Sequence, residues 1–191
     1  MYSRSAALTK ALGAPANEQV EAVEKLLGSL KLRTKEIEAL SNLIAQNIFS
    51  DLTSQISKCN GESSTVFPAN TAVAYYAYPS HDGVVDMKVL LAVASQFQDW
   101  VNLPEQAAGP RKVAVLFAPT GTPTTDSTTN TQRCDGVFVL SGEKTAVAEC
   151  GPIVAKIVNG KGGGRPGLYQ GKAQNIEKSL DIEAAVVAQR T

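Results

Sequence analysis

The sequence predicts an α/β protein in two parts. An N-terminal long helical, coiled-coil-like subdomain is followed by a small α/β globular domain, a short sheet packed by helices. Three observations carry this. Apolar residues between Val20 and Ile48 recur at alternating steps of three and four. The period then changes to alternation in Thr71–Tyr78 (TAVAYYAY). Beyond it, strand-like and helix-like segments alternate. The chain's 191 residues suffice for one core with an appendage, or two small domains. The turn-rich run Asn60-Gly61-Glu62-Ser63-Ser64 sets the expected boundary, dividing the chain into 1–60 and 61–191.

The first helix is expected over Asn17–Lys58, with Asn17 as its cap, Glu18 in the first turn and Pro15 just before. Its seam is Val20, Val23, Leu27, Leu30, Ile37, Ile44 and Ile48; Thr34 and Ser41 interrupt it, and Leu26, Leu40 and Leu43 widen it. Such a helix would extend roughly 60 Å at 1.5 Å per residue and cannot cover its stripe alone. It folds back as a hairpin or pairs with a second chain, so the seam residues are the expected dimer contacts.

Thr71–Tyr78 is a strand ending at Pro79, and Asp86–Trp100 an amphipathic helix with Met87, Leu90, Leu91, Ala94 and Phe97 inward. Arg111–Phe117 reads as a buried strand, 119–130 as a solvent loop and Gly136–Leu140 as a third strand. Lys144–Val158 is a helix that Gly151-Pro152 is expected to kink or restart. Gln174–Gln189 closes the chain as a helix, with Ile176, Leu180, Ile182, Ala185 and Val186 for its inner face. The order is β-α-β-β-α-α.

Hydrophobic residues make up 43% of the chain, and no apolar run approaches the ~20 residues of a membrane span. Eighteen bases balance eighteen acids, so nothing in the bulk charge favours nucleic acid. Locally the balance changes: Lys156, Lys161, Arg165, Lys172 and Lys178 stand against the single acid Glu177. Cys59, Cys134 and Cys150 form no CxxC pair or metal spacing, which points to free thiols in a reducing compartment. The cytoplasm is therefore expected, with an organelle the alternative, because the first 17 residues carry Arg4 and Lys10 and no acid.

Catalytic constellations are missing. His81 is the only histidine and sits in the turn-like Pro79-Ser80-His81-Asp82-Gly83; Ser80 beside it does not make a nucleophile–base pair. Asp82 and Asp86 form one carboxylate pair, while Asp181 and Glu183 lie at i, i+2 on a helix and face apart. No metal, cofactor or catalytic residue is expected.

The most informative stretch is Gly160-Lys161-Gly162-Gly163-Gly164-Arg165-Pro166. Bare glycines let another molecule approach the backbone, and the flanking cations supply positive charge. Two phosphate motifs are excluded. Gly162, Gly164 and Gly167 match G-x-G-x-x-G, but a helical pattern precedes them where the fingerprint needs a strand. Gly171-Lys172 has Pro166 and Ala173 where a P-loop needs glycine and a hydroxyl. The stretch reads as a phosphate-contacting loop.

The arrangement of long helix, small α/β domain, glycine motif and closing helix resembles the C-terminal region of alanyl-tRNA synthetase. Its globular part resembles the DHH-associated domain. The residues that carry the resemblance are Asp86-Met87-Lys88-Val89-Leu90, Val113–Phe117, Leu30-Lys31-Leu32 through Leu40, and above all Asn159–Pro166 followed by Gln170-Gly171. Leu168-Tyr169 and Lys172 depart from the family pattern. The resemblance implies a non-catalytic module that contacts the tRNA elbow, links aminoacylation with editing, and dimerises through its helix. The residues it assigns to tRNA are Lys161, Gly162, Gly163, Gly164, Arg165, Pro166, Gln170 and Lys172, with Tyr169 able to stack on an exposed base. DNA stays open as a further partner. The aminoacylation and zinc editing domains are not in this sequence, so Met1 is expected to begin an excised or free-standing piece. The alternatives are the substrate lobe of a DHH-type phosphoesterase, with Arg165 where a histidine is usual, and a pure oligomerisation module.

Overall fold

Side chains of two sizes alternate along the central strands and decide how the layers stack. In the computed structural model, which describes residues 10–13, 15, 18–59, 66–78, 87–120, 124–126 and 131–188, strand β1 is Thr71–Ala77 and β2 is Arg111–Pro119. On one sheet face these strands present Val73, Tyr75, Val113, Val115 and Phe117; on the other they present mainly alanines, Ala72, Ala74, Ala114 and Ala118, with Leu116 and the partly buried Tyr76 among them. Period-two alternation separates the sets, and the alanine face lets helices approach closely.

The sheet has five strands. After β2 come the short β3 (Thr124–Asp126) and β4 (Thr131–Arg133), which pair only with each other. Then follow β5 (Gly136–Gly142), β6 (Lys161–Arg165) and β7 (Leu168–Ala173), and the sheet order is β1-β2-β5-β7-β6. The β1–β2 pair is parallel; every other pair is antiparallel. A parallel pair needs a crossover. Helix Met87–Val101 lies between β1 and β2 in sequence and provides it.

Taking the helices in chain order, α1 is Gln19–Lys58, α2 Met87–Val101, α3 Lys144–Ile157 and α4 Ser179–Ala188. The end of α1 (Ala45, Ile48, Leu52, Ile56) and α2 (Val89, Leu90, Val93, Ala94, Phe97) share a core with the alanine face. Helices α3 (Val147, Cys150, Val154) and α4 (Ile182, Val186) cover the large-residue face. Each fully buried Leu, Phe or Val contributes about 1.5–3 kcal/mol relative to exposure.

The chain divides into two units between Leu43 and Ile44, inside α1. That is earlier than the expected 60/61, because the last turns of the helix are core residues of the sheet domain. Asn60–Ser64 lies outside the described residues, as does the Asn17 cap. In the first unit the stripe of α1 faces solvent: Val20 is 73% exposed, Leu30 62% and Ile37 60%. Lys25–Glu21 and Arg33–Glu36 pair at 3.0 and 2.9 Å along this part. Thr34, the hydroxyl in the seam, donates to the Leu30 carbonyl at 2.9 Å.

Several expectations are corrected. Ile48, expected at a dimer seam, is 3% exposed and packs against the alanine face. The expected solvent loop 119–130 contributes β2's last residue and, through Thr124–Asp126, half of the short ribbon. Helix α3 runs on through Pro152 without a restart. The closing helix begins only at Ser179, after a single turn of 3-10 helix at Ile176–Lys178, and Leu180 points outward. Most consequentially, the glycine motif is a strand, and the sheet gains a hairpin.

Candidate nucleic-acid interface

Strand β6 pairs with β7 so that Lys161 stands opposite Lys172, Gly163 opposite Gln170 and Arg165 opposite Leu168. Pro166-Gly167 makes the turn; Pro presets the first position, and Gly167 takes the left-handed φ of 84° that the second position requires. Because directly opposed residues share a face, Lys161, Gly163, Arg165, Gln170 and Lys172 all lie on one side of the hairpin. Gly162, Gly164, Tyr169 and Gly171 lie on the other.

The two sides are built differently. On the second, glycines make room for rings. The Tyr169 ring stacks on Phe138 at 6.1 Å between centroids. A Cβ on Gly151 of α3 would come within 2.6 Å of the Tyr169 ring, and one on Gly162 within 2.7 Å. A Cβ on Gly171 would meet Phe138 at 2.5 Å, and one on Gly164 would overlap the Leu168 carbonyl. These glycines are packing devices. Tyr169, expected to offer its face to a base, is half-buried and packs against the core on its Phe138 side.

On the first side, Lys161, Gly163, Arg165, Gln170 and Lys172 are all exposed. A Cβ on Gly163 would meet nothing within 4 Å. Among the described residues, none of Lys161, Arg165 and Lys172 lies within ion-pair distance of an acid. Two lysines directly opposite each other repel, a disposition that an anion relieves. Among the described residues no strand pairs with the outer edge of β6 either, and alternate backbone groups face outward there. The expected phosphate-contacting loop is thus a strand, and only every other backbone position along it is available.

Helix α2 walls this side. Leu91, Ser95 and Gln98 recur at helical spacing and, with Gly164, Arg165, Leu168 and Gln170, line a groove of about 480 Å³. The Gln98 amide donates to the Pro166 carbonyl at 3.5 Å, tying helix to turn. Leu91, expected inward, is 39% exposed here. Ser95 and Gln98 were missed in the sequence; their spacing from Leu91 at i+4 and i+7 was the available signal.

The basic window also divides. Lys156 and Lys178 line a different groove, together with Asp181. Lys112, in the core strand β2, is buried, and its ammonium donates to the carbonyls of Gln106, Ala108 and Pro110 at 2.7–3.4 Å. It fastens a loop and is not offered to a ligand.

Other chemistry is quiet. Burial pushes the Cys150 thiol up to about 12, so it is no nucleophile at neutral pH. Burial also raises the Tyr75 hydroxyl, which bonds Ser179 at 3.0 Å. Among the described residues no three His, Cys, Asp or Glu side chains gather as metal ligands, and no helix is long and apolar enough to cross a membrane. Ser80, His81, Asp82 and Asp86 lie outside the described residues.

No protein-family model matches the chain. Among solved structures it is similar to the C-Ala domain of Aquifex aeolicus alanyl-tRNA synthetase. That match has a TM-score of 0.34 and 14% identity, over 68% of this chain and 97% of that one. In sequence it is 27% identical over 187 residues to the alanyl-tRNA editing protein Aarsd1 of Danio rerio, covering 96% of this chain and 35% of the relative. It is 28% identical over 178 residues to that of Rattus norvegicus, covering 93% and 34%. Over nearly its whole length, then, the chain is similar to alanyl-tRNA editing proteins, of whose length it spans about a third.

Proposed function

We propose that the chain is a tRNA-binding module of alanyl-tRNA editing or synthesis, itself without catalytic residues, and that the open face of the β6–β7 hairpin carries the RNA. The observation that supports this best is the set of three exposed cations on one open sheet face, without acidic partners among the described residues. Lys161 and Lys172 stand opposite each other, with Arg165 four residues along the strand, about 13 Å from Lys161 at the usual rise. Phosphates satisfy such a set, and they position a nucleic acid without reading its sequence. The relatives' names place them in alanyl-tRNA editing, which makes tRNA the first candidate, its elbow the expected contact, and DNA a competitor on the same cations. None of Cys59, Cys134 and Cys150 forms a disulfide, which fits a cytoplasmic setting.

The exposed stripe Val20, Val23, Leu27, Leu30 and Ile37, continued by half-exposed Ile44, supports self-association. Ile48 is not part of it.

The test is a titration with intact tRNA(Ala) against an acceptor-stem hairpin at two salt concentrations. The intact L-shape should bind more tightly, and rising salt should weaken it steeply. Equal or absent binding would overturn the proposal.

A further inference from the structure

Resting on that reading of the hairpin as an RNA surface, we propose that the groove between α2 and the hairpin holds one unstacked RNA nucleobase. Gly163 is the bare floor beside it, Gln170 its hydrogen-bonding partner, and Lys161 with Lys172 at one end and Arg165 at the other hold the flanking phosphates.

The groove has what a base requires and a phosphate alone does not. Its lining includes the aliphatic surfaces of Leu91 and Leu168, against which a flat ring can lie. Ser95 and the carboxamides of Gln98 and Gln170 are polar groups on the same groove. A carboxamide offers both a donor and an acceptor, which matches the mixed edge of a base. Gln98 has its amide on the turn, whereas the Gln170 side chain is exposed and has no hydrogen-bond partner among the described residues.

The glycines carry the argument further. Of the three in Gly162–Gly164, the first and last lack room for a Cβ because Tyr169 and Leu168 occupy it. Packing explains those two. It does not explain Gly163, whose missing side chain leaves open space between the two cationic ends. A bare backbone there lets a flat group reach the sheet surface.

Extended RNA loops present bases in this way, splayed from their stack. An acidic peptide would be expected along the outer edge of β6, where backbone groups are free, and would need neither the groove nor the carboxamide.

The experiment compares tRNA(Ala) binding by the unaltered chain, Gly163→Val, Gln170→Ala and the double variant Lys161→Ala/Arg165→Ala, each checked for its fold by thermal unfolding. Gly163→Val and Gln170→Ala should each weaken binding roughly tenfold with an unchanged salt slope. The double variant should weaken binding and flatten that slope by about two. If the charge variant loses binding while Gly163→Val and Gln170→Ala bind normally, the groove holds no base and only the phosphate contacts survive. If all three bind like the unaltered chain, the hairpin is not the RNA surface and both readings fall. Should Gly163→Val not fold, Gln170→Ala decides alone.

Discussion

Neighbouring glycines of one motif have opposite duties. A Cβ on Gly162 would sit 2.6 Å from the Gln170 carbonyl and 2.7 Å from the Tyr169 ring, so Gly162→Ala should cost about 1–3 kcal/mol by overpacking. Gly163→Ala meets nothing, and restricting the unfolded chain should leave stability unchanged or raise it by about 0.4–1 kcal/mol. Thermal or urea unfolding of the two variants checks this; equal destabilisation would contradict the division of the motif. The Cys150 thiol rises from the ordinary 9.0 to about 12 on burial, so the unfolded state ionises first as pH rises. Its contribution to stability is complete below pH 9 and is lost progressively between 9 and 12, with Tyr75 adding in the same direction. Urea midpoints across that range should fall, and should fall less in Cys150→Ala.

Elements were legible in the sequence where period and breakers agree, and illegible where two elements share a composition. The strand at 71, the helix at 87 and the strand at 111 all appear within a few residues of their expected limits. Helix α1 was legible as a helix, but its seam was read as one continuous surface. The structure splits it, since Ile48 joins Leu52 and Ile56 in the core while Leu30 and Ile37 remain exposed. Ile48→Asp should therefore lower the unfolding midpoint strongly, whereas Ile37→Asp should leave it nearly unchanged. In sedimentation, self-association should be lost in Ile37→Asp; persistence of a dimer would remove the stripe from the interface. The β6–β7 hairpin escaped notice for a physical reason. Glycine has the lowest strand preference of the residues concerned, so KGGGR carries no strand signal of its own. It is a strand because it pairs along its whole length with β7, and Gly162 within it clears the Tyr169 ring.

At the scale of the whole molecule, charge neutrality conceals a sided distribution. Eighteen bases and eighteen acids cancel, yet Lys161, Arg165 and Lys172 converge on one open sheet face through pairing that only the fold supplies. Sequence could name these residues, because the cations bracket the glycines; it could not show which of them share a face, nor that α2 walls it. It also counted Lys156 and Lys178 into the patch, although they line another groove. The local excess, not the net charge, sets affinity for a polyanion, so binding should depend steeply on salt despite a pI near 6.6.

Amide NMR of the chain during addition of tRNA(Ala) would map the RNA surface residue by residue. Binding on the hairpin face should concentrate shifts in Lys161–Arg165, Gln170, Lys172 and the facing residues Leu91, Ser95 and Gln98. Shifts confined to residues 20–43, or none in the hairpin at saturating RNA, would contradict it.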